Sequence, residues 1–134
     1  MESKAVRCFR LGLMSIGVAS ALNSYKDGKS IDGRQRKVLS KGSEFLRESV
    51  QDKRFFEGNV SETPILLCAI QYTWPNMGSK DELKAKLSSW IDLLTHLCKK
   101  ASIDDDRQEE IDEIISLFEN VSIYCDLRIK QLNA

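Results

Sequence analysis

Residues 105–132 read DDRQEEIDEIISLFENVSIYCDLRIKQL. Within them Ile111, Ile114, Ile115, Phe118, Val121, Ser122, Cys125, Ile129 and Leu132 recur at spacings of three and four. That is one face of a helix carried for about seven turns. Leu117, Tyr124 and Leu127 widen the face beyond the narrow seam of a coiled coil. An apolar stripe so broad needs several neighbours to cover it. The spacing therefore predicts the central helix of a bundle.

Working outward, Ser79 and Glu82 form a capping-box pattern ahead of a fourth helix over 80–101. Its apolar face is Leu83, Leu87, Trp90, Ile91, Leu94, Leu97, Cys98 and Ala101. Lys99 and Lys100 suit the negative end of its dipole, and Asp104 to Asp106 suit the positive start of the helix over 104–132. A short third helix is predicted over 63–74, with Thr63 as N-cap and Pro64 in the first turn. Pro75 stops it, because the residue before a proline avoids the helical region. A second helix over 32–51 has Ile31, Val38, Gly42, Phe45 and Leu46 on one side and a basic first half. Phe55 and Phe56 in the following loop are expected to plug the bundle end. A first helix over 3–24 begins with Val6, Phe9 and Leu13 and is apolar nearly all round over 11–22. Such a helix is expected to be buried on several sides. The fold class is thus all-α: one domain of about five mostly antiparallel helices, since the connections are short.

The 134 residues suffice for one domain with a real core, and 42% hydrophobic with 30% charged residues is ordinary for a globular chain. The net charge of zero hides a division. Residues 1–54 hold twelve Lys/Arg against six Asp/Glu, and residues 55–134 hold eight against fourteen, so the halves are +6 and −6. A uniformly basic nucleic-acid binder is excluded. Opposite halves suit packing within one domain or between copies. Cys8, Cys68, Cys98 and Cys125 lie far apart with no CxxC pair. They read as four thiols in a reducing, cytoplasmic compartment. The alternative is export, because Lys4, Arg7 and Arg10 before the apolar run 11–22, with Ala19-Ser20-Ala21 behind, have the outline of a signal peptide. The run 11–22 alone is short for a bilayer, and no membrane span is expected.

Four groups of residues bear on chemistry. His96, the single histidine, falls opposite the apolar face of its helix, beside Asp92 and Lys99. Asp92, four residues earlier, is placed for a helical ion pair with it. The string Thr95-His96-Leu97-Cys98-Lys99-Lys100-Ala101 resembles the histidine phosphotransfer domains of phosphorelays, which are helical bundles with an exposed His and a Lys three residues on. Lys100 stands where that family usually has Gly. The resemblance implies His96 as phospho-acceptor and Lys99 as its charge partner. Glu109, Glu110, Asp112 and Glu113 resemble the first acidic motif of the all-α nucleoside-triphosphate pyrophosphatases, which implies Mg²⁺ held by carboxylates. The second acidic motif of that family has no counterpart here.

For metal, His96 and Cys98 point to different faces of a helix, and no metal site or other cofactor is expected. No nucleophile turn, GxGxxG or P-loop occurs, and no catalytic residue is assigned. For nucleic acid, residues 26–41 carry Lys26, Lys29, Arg34, Arg36, Lys37 and Lys41 against Asp27 and Asp32. These would follow a phosphate backbone without base stacking, as in a small helical subunit of a ribonucleoprotein complex. The reading the residues favour is a non-enzymatic interaction or assembly module, acting by self-association or on a protein partner. Leu117, Ile123, Tyr124 and Leu127 on the broad last helix are the candidate contacts.

Overall fold

The computed structural model describes residues 3–52, 55, 64–77, 79–99, 103 and 105–134. Among them are five α-helices and no strand, as an all-α bundle requires. They are α1 (Lys4–Lys26), α2 (Gly33–Gln51), α3 (Ile65–Thr73), α4 (Lys80–Cys98) and α5 (Gln108–Leu132). A 3-10 turn, Asp105–Arg107, leads into α5.

The helix starts follow from local chemistry. The Ser3, Asp32 and Ser79 side chains accept hydrogen bonds from the backbone N–H groups of Val6, Gln35 and Glu82. At α2 the bond is reciprocated, since the Gln35 side chain accepts from the Asp32 backbone N–H. That capping box was not anticipated from the sequence. Gly28, with φ +85°, turns the chain after α1 in a conformation that favours glycine.

Three expected boundaries shift. Pro64 has extended backbone (φ −57°, ψ 141°), so it is the N-cap of α3 and not its first helical residue. Thr63, its expected cap, lies outside the described residues. α4 closes at Cys98 with Lys99 as its C-cap. Lys100, Ala101, Ser102 and Asp104 lie outside the described residues. α5 begins at Gln108, because the acidic start expected from 104 is taken up partly by the 3-10 turn.

α1 packs between α2 and α5, α4 lies on the far side of α2, and α3 lies on the far side of α5. The ring closes where α4 meets α5 and where Trp90 of α4 meets Trp74, ring centroids 5.2 Å apart. Neighbours run antiparallel. Lys26 pairs with Asp112 at one end of the α1–α5 pair, while Gly12 faces Cys125 further along it. Arg107–Asp92, Ser89–Glu110 and Lys86–Glu113 bonds march in opposite directions along α4 and α5.

The core is built on Leu22, Leu39, Leu46, Leu87, Trp90, Leu94, Ile111, Ile114 and Phe118, all fully buried. Phe55 is also buried and belongs to this core, while Phe56 lies outside the described residues. α2 approaches α1 closely at Gly42, where an added Cβ would come within 2.9 Å of Val18 Cγ2 and 3.4 Å of Phe118 Cζ.

The first helix departs from expectation. It buries Cys8, Gly12, Ser15, Val18, Ala19, Ala21 and Leu22, but leaves Val6, Phe9, Leu13 and Ile16 in the open. By length and composition α1 as a whole is apolar enough to cross a membrane, although the run 11–22 alone is short for it.

Candidate functional site

The exposed apolar residues of α1 stand at 6, 9, 13 and 16, spacings of three, four and three. At 100° per residue they fall within a sector of about 80°. They are 47, 58, 55 and 56% exposed. Ser15 and Gly12 face the core from the opposite side of the same helix. α1 thus has two apolar faces. Val6, Phe9 and Leu13 form the early face of a helix whose pattern predicts burial on several sides. A helix apolar nearly all round does not reveal which side its neighbours will cover.

The neighbouring helix extends this surface. Ile123 (53% exposed) and Leu127 (46% exposed) lie on the outer side of α5. Ile16 and Ile123 line one groove, together with Glu119, Ser20 and Asn23. Pairing of Gly12 with Cys125 and of Lys26 with Asp112 sets the register of the two helices. In that register Leu127 is level with the Phe9–Leu13 turn of α1. Beyond Leu127, half-buried Tyr124 meets Tyr72 of α3 edge-on at 6.2 Å, and Tyr72 is itself exposed. The surface therefore runs across α1, α5 and α3.

Of the four contacts expected on α5, Ile123 and Leu127 are exposed, Tyr124 is half-buried and Leu117 is fully buried. Leu117 is corrected to a core residue. α3 packs over that side of α5, with Asn120 donating to Thr73 Oγ1 at 2.6 Å. The chain itself covers Leu117.

The acidic start of α5 is occupied by cations. Arg107 Nη1 donates to Asp92 Oδ2 at 3.0 Å, and Arg107 Nη2 donates to Glu110 Oε2 at 3.2 Å and to the Ser89 carbonyl at 3.1 Å. Ser89 Oγ donates to Glu110 at 2.7 Å, Lys86 pairs with Glu113 at 2.8 Å, and Lys26 pairs with Asp112. Burial pushes the Glu110 carboxyl up, but the hydrogen bonds from Arg107 and Ser89 outweigh it and hold the group below its ordinary value. The hydrogen bond to Glu110 also holds the Arg107 guanidinium above its ordinary value. Glu110 and Glu113 clamp α5 to α4, and Asp112 ties it to α1. Among the described residues no group of three His, Cys, Asp or Glu is gathered as a metal would need.

His96 and Lys99 are exposed on α4, as the helical count places them. Asp92, expected to pair with His96, bonds Arg107 instead, because the 3-10 turn carries that guanidinium back over α4.

The basic window divides. Lys26 is engaged by Asp112. Arg36 is half-buried, with its carbonyl accepting from Cys98 Sγ at 3.6 Å. Lys29, Arg34, Lys37 and Lys41 are exposed. Arg34, Lys37 and Lys41 share one side of α2, next to Val38, which abuts Gly17 of α1. They therefore border the open stripe of α1 on the flank opposite α5.

All four cysteines are free, with Cys8 and Cys125 buried and Cys68 and Cys98 half-buried. Burial pushes the Cys125 thiol up to about 12, and raises Cys68 and Cys98 as well. A further hollow of about 690 Å³ lies by Trp74, Met77, Ala85 and Lys86. Its Lys86 and Ser89 are already bonded to Glu113 and Glu110. No family model, curated protein or solved structure matches the chain.

Proposed function

We propose that the protein is a non-enzymatic assembly module that associates with protein through the outer face of α1 and α5. One observation carries this reading: six large apolar side chains, Val6, Phe9, Leu13, Ile16, Ile123 and Leu127, stand 46–58% exposed on two adjacent antiparallel helices. Single exposed apolar residues are common, but aligned ones covering two helices mark an interaction surface. In the acidic cluster, Glu110, Asp112 and Glu113 are engaged by Arg107, Lys26 and Lys86. Four free thiols support a reducing compartment as its setting.

The test is self-association measured by light scattering and sedimentation. The wild type is expected to assemble with rising concentration. Leu13→Asp is expected to be monomeric with an unchanged far-ultraviolet circular dichroism spectrum, since Leu13 is not part of the core. Assembly that persists in Leu13→Asp would remove this face from consideration.

A further inference from the structure

We propose that the hollow between the end of α3 and α4 binds a flat, uncharged aromatic molecule bearing a carbonyl acceptor. This goes beyond the assembly reading and does not rest on it. The hollow measures about 690 Å³, within the range of small-molecule sites. One wall is preformed. α3 stops at Thr73, and the Met77 N–H donates to the Trp74 carbonyl at 3.1 Å, closing a turn with Pro75 at its second position. Proline there fixes the backbone. The turn contributes Trp74, Pro75 and Met77 to the lining, and α4 contributes Ala85.

The lining sets the charge and shape of the ligand. Glu82 and Lys86 also line the hollow, opposite in sign, and Lys86 is held by Glu113 at 2.8 Å. Ser89 Oγ donates to Glu110, and Thr73 Oγ1 donates to the Ala69 carbonyl. No net charge remains to balance an ion stripped of its water, so an uncharged molecule is favoured. Trp74 is half-buried and leans on Trp90, with ring centroids 5.2 Å apart and planes 31° apart. A third ring would extend this offset stack into the hollow, and the Met77 thioether suits a ring edge.

Trp90 sets the acceptor. It is fully buried, and its indole Nε1–H has no hydrogen-bond partner among the described residues. Buried donors are nearly always paired, so this one calls for an acceptor. A helical side chain lies over the turn before its own Cα. The Trp90 indole therefore lies over the turn that holds Lys86, beside the hollow, with the Trp74 ring against it. A carbonyl entering at the edge of Trp74 supplies what this N–H lacks.

The experiment records nitrogen-15 spectra of the full chain, whose two tryptophans give two indole N–H signals. Trp74→Phe assigns them by the loss of one. The probe is acetophenone. It is expected to shift both signals saturably and to move the Trp90 N–H proton downfield as that group gains an acceptor. Cyclohexyl methyl ketone keeps the carbonyl and loses the flat ring, and is expected to bind about tenfold more weakly. Toluene keeps the ring and loses the carbonyl, and is expected to give no downfield shift. Benzoate is expected not to bind at the same concentrations. In the wild type, nuclear Overhauser contacts from the probe's ring protons to the Met77 and Ala85 methyl groups locate it without any variant. Ala85→Phe, at an exposed position, is expected to keep its circular dichroism and lose the shifts. Leu13→Asp is expected to bind acetophenone as the wild type does, so the two readings fail separately. No saturable shift at millimolar acetophenone, or shifts without contacts to Met77 and Ala85, would overturn the site. Binding that survives in Ala85→Phe or is lost in Leu13→Asp would overturn it too. Equal binding of cyclohexyl methyl ketone or benzoate would overturn the ligand class. A downfield shift with toluene, or none with acetophenone, would overturn the part given to the Trp90 N–H.

Discussion

Leu117 and Leu127 are the same residue type on the same helix, ten positions apart, with opposite fates. Leu117 is sealed between α5 and its neighbours, while Leu127 is 46% exposed. Leu117→Ala should therefore cost about 2–5 kcal/mol of stability, transfer and cavity terms together. Leu127→Ala should change stability by about 0.5 kcal/mol or less. Chemical denaturation of the two variants checks the contrast. Glu110 makes a prediction in pH. Its folded-state carboxyl lies below the ordinary value of 4.5 because the bonds from Arg107 and Ser89 outweigh the effect of burial. The stability it contributes is then complete above the ordinary value and is lost as pH falls through the folded one. Glu110→Gln should be less stable than wild type at neutral pH, and the gap should narrow on acidification below that value. The cysteines differ by access. Cys68 and Cys98, half-buried, should react with a thiol reagent at mildly alkaline pH before Cys8 and Cys125. Cys125, pushed up to about 12 by burial, should react only as the protein opens.

At the scale of elements, the first helix is organised by what each side of it meets. Small residues let other helices come close on the inward side. Gly17 admits Val38, with an added Cβ only 3.0 Å from Val38 Cγ1, and Gly42 of α2 admits Val18. Gly42→Val would force a branched side chain into a packed seam and should destabilise by about 2–3 kcal/mol. A fall in the urea midpoint without a change in slope would be the expected signature. On the outward side, large residues repeat every three or four positions and stay 47–58% exposed. α4 and α5 are joined differently, by a row of charged and hydroxyl groups above the buried Trp90. Arg107→Ala removes bonds to Asp92, Glu110 and the Ser89 carbonyl at once, and should cost roughly 1 kcal/mol because the cluster is partly open to solvent. Thermal unfolding of Arg107→Ala at low and high salt would expose the electrostatic share of that cost.

For the whole molecule, the division into a +6 and a −6 half follows the architecture. The basic α2 and the acidic α5 end up on opposite flanks of α1. What residues 105–132 determined by themselves was considerable. The broad apolar face required neighbours on several sides, so Ile111, Ile114, Phe118, Val121 and Cys125 had to be interior, and they are. The cap at Ser79 and the stop at Pro75 set helix limits to within a few residues, because capping involves only groups within a turn of one another. The surface was beyond local reading. Whether Phe9 faces a core or solvent depends on which helices flank α1, and that is a property of packing between segments far apart in the chain. The same reason explains why Leu117, close in sequence to exposed Ile123, is buried: α3 was free to lie over one side of α5, and only the tertiary structure decided which. Glu110, Asp112 and Glu113 of the acidic motif form ion pairs for the same cause, since their cations arrive from the turn before α5, α1 and α4. Periodicity determines that a helix has an apolar face. Only the assembled bundle determines how much of that face remains for another molecule.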